Sequence, residues 1–536
     1  MTYKVWTLRG LAALGLSPYA LASATFSVKI NDPIIATPIS DARRDATVRV
    51  ARAFATCGAP EWRYGCRRTL HEHQSMSNNE YSALVAGHRN YFRTGATRSV
   101  EWRKSQLTAL RTMMTERAEE FYASLWTDLR RGRVEADFVD VKYLVGEAEH
   151  ALAHVDQWME PMRVSSPRML APSHTRVRFD PLGVALIIGT WNYPLMLTLS
   201  PLIAAICGGN VGVIKPSEVA AATAKVMARL VPEYLDRSAF SVVLGAAPET
   251  TALLEQQWDH IFFTGGTAVA RIVMTAAAKT LTPVVLELGG KNPTIVHSSA
   301  DLHVAARRIA HGRWANTGQT CTAPDYVLVF RDVAGPFLEI LKETALQFYG
   351  EDPRESPDYG RIISAHHFER LRRLLESGTI YHGGQCDAAE RYIAPTILVN
   401  VPLDSPAMQE EIFGPILPVV EIGSVPEVID FVNARPSPLG LYIFASDHSV
   451  TEQVLDLTVS GDASVNDCTV QPLIHDLPFG GVGSSGMGKY HGEWGFRADT
   501  NARGVLYHST ILDLDLRYPP YERHKTLRKV ADRLLA

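Results

Sequence analysis

The sequence predicts an α/β fold, and three observations carry that expectation: short unbroken apolar runs, longer stretches of helical spacing between them, and a second round of the same alternation further along the chain. A chain of 536 residues is expected to hold more than one core, because single hydrophobic cores stop growing well below that length. From 81 to 152 the pattern is helical, with Tyr91, Phe92, Trp102, Leu107 and Leu110 among the regularly spaced apolar positions. From Pro181 the rhythm changes. Apolar runs at 184–188, 211–214, 241–244, 261–263 and 284–286 are too short for helices, and their lack of alternation suits strands buried on both faces. Stretches of helical spacing at 220–235 and 268–281 follow two of them. Such alternation builds a doubly wound parallel sheet, the architecture that binds nucleotides.

After Gly290 a second α/β rhythm begins. Asp301 is placed to cap a helix whose apolar stripe is Leu302, Ala305, Ala306, Ile309 and Ala310. That helix leads to Thr317-Gly318-Gln319-Thr320-Cys321. Further strands are expected at 326–330, 396–399, 417–420 and 441–445, and a Gly-rich loop, 479–488, closes the region. There are no internal repeats and no low-complexity linkers.

A hydrophobic share of 46% and a charged share of 21% are ordinary for a globular enzyme. The formal charge of −4 offers no basic footprint, so nucleic acid is not an expected partner. The six cysteines (57, 66, 207, 321, 386 and 468) are scattered without a C-x-x-C pair. That excludes a zinc ribbon or redox dithiol and fits a reducing compartment, where a lone cysteine can serve as a nucleophile. Cys207 sits in an apolar helix end and reads as inert core. His71-Glu72-His73 lacks metallopeptidase spacing, and no metal site is expected. His366 and His367 read as surface or capping residues on a helix.

No run of 18 apolar residues is present, so no spanning helix is expected. At the N-terminus, Lys4 and Arg9 precede a mostly apolar stretch that ends in Ala22-Ser23-Ala24, the form of a secretory leader, but Pro18 and Tyr19 interrupt it. The other reading starts the protein at Met76, with 1–75 an extension outside the fold. The basic tail from 517 to 536 reads either as a solvated helix or as a membrane-surface contact.

Five stretches together carry a resemblance: GTWNYPLMLTLSPLIAAICGGN around Asn192, VVLELGGKNPTIV around Glu287, NTGQTCTAPDYVLV around Cys321, QEEIFGPILPVV around Glu411, and LPFGGVGSSGMGKYHG in the Gly-rich loop. In order and content they closely resemble the aldehyde dehydrogenase superfamily, nearest its class 3 branch, which includes fatty aldehyde enzymes. The resemblance runs from about Tyr81 to Pro520. It implies a Rossmann-like cofactor domain at 79–289, with part of an oligomerisation arm near 160–180, a catalytic domain at 290–478, and the rest of the arm plus a tail at 479–536, after an extension at 1–78. The implied activity is NAD(P)-dependent oxidation of hydrophobic aliphatic or aromatic aldehydes by a cytoplasmic homodimer.

The resemblance also assigns roles. Cys321 matches the nucleophile. A free thiol titrates near ~8.5, so the site must help it ionise. Asn192 matches an oxyanion donor, acting with the backbone N–H of Cys321. Glu287 matches the general base, and its place after Val284-Val285-Leu286 disfavours the charged carboxylate and raises its pKa towards a useful range. Taken singly, each has a plainer reading: a small core cysteine, a turn residue before Tyr193-Pro194, a strand-end acid.

For the cofactor, NAD with NADP as a second possibility, the resemblance implies Lys215, Glu218, Gly265, Gly266, Thr267, Ala270, Leu288, Glu411 and Phe413. Phe263-Thr264-Gly265-Gly266-Thr267 is a strand running into a helix whose free N–H groups can face a pyrophosphate. Ala268 and Ala270 stand where the family usually has glycine. Lys215 and Glu218 resemble the residues that hold the adenine ribose, and a carboxylate there would repel a 2′-phosphate, so NAD is favoured. Glu411 and Phe413 match the residues that grip the nicotinamide end. The G-x-G-x-x-G at Gly481, Gly483 and Gly486 neither follows a buried strand nor opens a helix and is set aside. Two alternatives stand beside this reading: CoA-acylating or reductive acyl chemistry on the same scaffold, against which Glu287 weighs, and an idle structural homologue.

Overall fold

The computed structural model describes residues 76–167, 170–511, 513, 517–524 and 529. The leader, the extension, His71-Glu72-His73 and most of the basic tail lie outside the described residues.

The helical expectation for 81–152 resolves into three helices, Asn78–Arg93, Val100–Glu116 and Ala118–Leu129, a short turn at Arg133–Ala136, a single π-turn at Asp137–Val141, and the helix Lys142–Met159. Tyr81, Leu107 and Leu110 face inward and pack into the core under the first sheet.

That sheet has six strands in the order Gly486–Met487, Val284–Glu287, His260–Thr264, Val184–Ile188, Val211–Lys215, Phe240–Val242. All pair in parallel except the two-residue edge strand, which runs antiparallel to Val284–Glu287 and sets Gly486 opposite Glu287. The three central strands are buried at every position, which is why their sequences show no alternation. The strand order also fixes where a ligand can sit. The chain builds outward from Val184–Ile188 to one side through Val211–Lys215, then returns to its other side with His260–Thr264. The order therefore reverses at the carboxyl ends of Ile188 and Thr264, where open α/β sheets form their crevices.

The second sheet has seven strands, ordered Thr379–His382, Thr396–Val399, Ile416–Ile422, Tyr326–Phe330, Pro293–Val296, Gly440–Phe444, Asp462–Val465. The capped helix is present: Asp301 accepts hydrogen bonds from the His303 and Val304 N–H groups at 3.1 and 3.0 Å, and Ala305, Ala306, Ile309 and Ala310 are buried. A third, antiparallel sheet joins Met162–Val164, Ser173–Pro181 and Thr500–His508. The stretch assigned to the arm from 479 onward is thus divided. Gly486–Met487 first closes the edge of the six-stranded sheet, the helix Gly492–Ala498 follows, and only then does the chain enter the three-stranded sheet. Among the described residues no helix is long and apolar enough to cross a membrane.

Candidate active site

A cavity of about 570 Å³ opens at the switch point of the six-stranded sheet. At its far end Lys215 terminates its strand with a buried side chain. Its ammonium donates to Pro216 O at 2.8 Å and lies 3.6 Å from the Glu218 carboxylate, and burial lowers its pKa. Gly265 and Gly266 line the cavity where the strand His260–Thr264 turns into the helix Thr267–Ala278. Gly266, the N-cap residue, supplies no side-chain cap. The first amides of the helix are therefore left for something else to satisfy. Leu288, buried, completes this wall.

Two of the sequence assignments fall elsewhere. Ala270 is 2% exposed and packs into the core beneath the helix, because it lies on the helix face turned towards the sheet. Val269 and Ile272, on the opposite face, line the cavity instead. Thr267 faces a neighbouring groove that also reaches Gly289, Gly290 and Lys291.

The near end is formed by Glu411 and Phe413. The Gly290 N–H donates to Glu411 Oε1 at 3.1 Å. Burial, then the charge of Asp325, pushes the Glu411 carboxyl up to about 8. A Cβ on Gly289 would stand 2.2 Å from that carboxylate, which explains the glycine at this place in the ELGG motif. Phe413 holds a positive φ of 50° and presents its ring edge-on to Trp191 at 5.2 Å.

Cys321 lines both this cavity and a second one of about 650 Å³ on its other side. The second cavity is walled largely by apolar side chains, among them Phe138, Tyr193, Met196, Val470 and Phe479. The loop that delivers the sulfur runs through three consecutive residues of positive φ, Asn316, Thr317 and Gly318. Asn292 Nδ2 donates to the Cys321 carbonyl at 2.7 Å and fixes its backbone. Asn192 is buried, and its amide donates to Gln319 O at 3.1 Å. Glu287, at the strand end, is 3% exposed and neither carboxyl oxygen has a hydrogen-bond partner. Burial, then the nearby Asp462 charge, raises its pKa well above the ordinary carboxylate range, with Lys489 opposing. A Cβ on Gly480 would meet Glu287 Oε1 at 2.7 Å, so the Gly-rich loop closes directly over the acid.

Burial, then the charges of Glu411 and Glu287, pushes the Cys321 thiol up to about 12. A thiol and two carboxyl groups, all with raised pKa values, thus share the site, an arrangement suited to moving a proton between them.

Residues 66–505 match the model of the aldehyde dehydrogenase family. This chain is an aldehyde dehydrogenase. A Canis lupus familiaris relative named "Aldehyde dehydrogenase, dimeric NADP-preferring" is 44% identical over 444 residues, covering 82% of this chain and 98% of its own. The Mus musculus aldehyde dehydrogenase family 3 member A2 is 45% identical, covering 82% and 91%. Among solved structures, a substrate-bound Staphylococcus aureus AldH is 38% identical with a TM-score of 0.82, covering 84% of this chain and 99% of its own. The class 3 resemblance read from the motifs is therefore correct.

Sequence reasoning missed two residues of the dehydrogenase cleft. His367 was expected at the surface or in a cap. Its backbone N–H does cap onto Ser364 Oγ at 3.3 Å, but the ring turns inward against Trp191, 4.9 Å away, and lines the cavity. Burial, then Arg370, pushes it down to about 4. Arg370, also in the lining, donates to Ile412 O at 2.5 Å and Glu411 O at 3.2 Å and so pins the Glu411–Phe413 stretch. The signal was the spacing: His367, Phe368, Leu371 and Leu374 share a face at i, i+1, i+4 and i+7, and Phe368, Leu371 and Leu374 of that face are buried.

Proposed function

We propose that this enzyme oxidises hydrophobic aldehydes to carboxylic acids through a thioester on Cys321, with a nicotinamide dinucleotide as co-substrate. The observation that carries this reading is the place of the sulfur at the junction of two cavities, one of about 570 Å³ that also reaches Lys215, Glu218, Gly265, Gly266 and Glu411, and a second walled largely by apolar side chains. The first cavity fits the dinucleotide on its own chemistry. Uncapped helix amides at Gly266 suit a pyrophosphate, Lys215 and Glu218 suit ribose hydroxyls, and Glu411 with Phe413 suits the second ribose and ring. When bound, the dinucleotide supplies the acceptor for the hydride that an aldehyde must lose.

The chain's own residues do the rest. Cys321 gives up its proton to a neighbouring carboxylate and adds to the carbonyl carbon. Asn192 and the Cys321 backbone N–H hold the resulting oxyanion, a contribution of about 3–4 kcal/mol per donor in comparable sites. Once oxidation leaves a thioester, Glu287 takes a proton from water and directs it at the acyl carbon. An edge contact through the strand Thr500–His508 with a second copy is the assembly this reading favours.

A panel of straight-chain aldehydes tests the substrate class. Each added methylene buried in the second cavity contributes about 0.8 kcal/mol, roughly fourfold in kcat/KM, so the values are expected to climb steeply from acetaldehyde and level off when the cavity is filled. A flat series would overturn the hydrophobic preference. Glu218→Gln is expected to shift the NADP-to-NAD ratio of kcat/KM upward by about tenfold, since it removes the charge that would face a 2′-phosphate. An unchanged ratio would place cofactor choice elsewhere.

A further inference from the structure

Behind Asn192 lies a buried ionic cluster that the mechanism above does not use. Arg131 and Asp140 are both fully buried and paired with each other, and Glu135 stands 3.7 Å from the Arg131 guanidinium. Asp140 belongs to the π-turn Asp137–Val141, a distortion of helix geometry that concentrates at functional sites. A buried pair of this kind seldom adds net stability, because desolvation offsets the attraction. What the cluster touches is therefore more telling than what it stabilises.

Arg131 donates its second terminal nitrogen to the backbone oxygen of Asn192 at 2.5 Å. The same oxygen accepts from Asn316 Nδ2 at 2.9 Å. The guanidinium also lies over the Tyr193 ring, 4.4 Å from its centroid, and the Tyr193 hydroxyl bonds Thr320 Oγ1 at 2.8 Å. Asp140 in turn accepts from the Met196 N–H at 3.4 Å. One guanidinium thus ties together the helical layer, the loop carrying Asn192 and the loop carrying Cys321. An amide nitrogen has two hydrogens. Asn192 spends one on Gln319 O, which leaves the other for a substrate oxygen, and its direction is set by the backbone that Arg131 grips.

We infer that Arg131, locked by Asp140, is a positioning residue for the oxyanion site, acting through the backbone of Asn192 and through Tyr193 rather than by touching substrate. This rests on the reading of Asn192 as an oxyanion donor. A misplacement of about 1 Å in such a donor costs on the order of 100-fold in rate.

The test is a cycle of kcat, aldehyde KM and cofactor dissociation constant. Arg131→Met alone would strand a buried Asp140 and risk misfolding, so the pair Arg131→Met with Asp140→Leu is used, along with Asn192→Ala and all three together. The pair is expected to lower kcat by roughly 10- to 100-fold with cofactor binding unchanged, and Asn192→Ala by on the order of 10²–10³-fold. The combined variant should be no slower than Asn192→Ala within about twofold, because the brace has nothing left to position. Multiplying losses, or an unaffected pair variant, would overturn the inference while leaving Asn192 in its role. A fully active Asn192→Ala would remove the donor reading itself. Should the pair variant not fold, Arg131→Lys supplies the same cycle: it keeps a cation against Asp140 but lacks the planar fork, and a loss that disappears in the Asn192→Ala background carries the inference.

Discussion

Cys321→Ala is expected to abolish aldehyde oxidation, by on the order of 10⁴-fold or more in kcat/KM, while leaving the cofactor dissociation constant within about twofold. The sulfur lies at the rim of the dinucleotide cleft and not in its far wall, where Lys215 and Gly266 stand. Removing it deletes the bond-forming atom without touching those contacts. Because burial, then the charges of Glu411 and Glu287, pushes the thiol up to about 12, the neutral form is expected to dominate at pH 7 in the absence of cofactor. The thiolate form lies above that pKa, so its fraction grows tenfold with each unit of rising pH. Alkylation of Cys321 by iodoacetamide, followed by mass spectrometry in the absence of cofactor, should accelerate by about that factor per unit from pH 6 to 9. A flat profile would mean that the thiolate is already formed and that burial does not govern it. Turnover of the alanine variant within a hundredfold of the parent would remove Cys321 from the chemistry altogether.

What the sequence displayed well was local. Asp301 caps the His303 and Val304 amides of its own helix, and that geometry needs only neighbouring residues. The strand Tyr326–Phe330 coincides with its apolar run, because a strand buried on both faces writes its length into composition. The Glu287 environment was legible for the same reason: three apolar neighbours in a strand announce a buried end. What could not be seen was set by approach in space. Ala270 and Val269 are adjacent in sequence, yet one packs in the core and the other lines the cleft, since a rotation of 100° per residue separates them. Arg131 looks like one basic residue among Arg130 and Arg133. Only the fold shows that it is fully buried while Arg133 is largely exposed. A nucleophile is expected to ionise, but the pKa of this thiol depends first on its burial and then on carboxyl groups 34 or more positions away in the chain (321 − 287 = 34).

Those carboxyl groups decide the second large effect. Glu287→Gln keeps the shape of the side chain and removes its basicity, and steady-state kcat is expected to fall by about 10²–10⁴-fold. Attack by Cys321 and the oxidation that follows need no activated water, so a rapid-mixing trace should show close to one NADH per active site and then a near stop. Acyl-enzyme trapped at that point is visible as added mass on Cys321, and hydroxylamine, which needs no general base, should discharge it. In the proposed mechanism the carboxylate form of Glu287 works, and burial raises its pKa. Turnover limited by hydrolysis therefore increases as pH climbs through that value, and the glutamine variant should lose the dependence. The burst also separates two duties. Glu287 is one of the charges that act on the Cys321 thiol. If the burst vanishes together with turnover, Glu287 takes the thiol proton as well as the water proton. If the burst survives intact, the thiol proton leaves by another group, and Glu411, itself raised to about 8, also acts on the thiol through its charge. Normal steady-state turnover in this variant would mean that the water is activated from elsewhere.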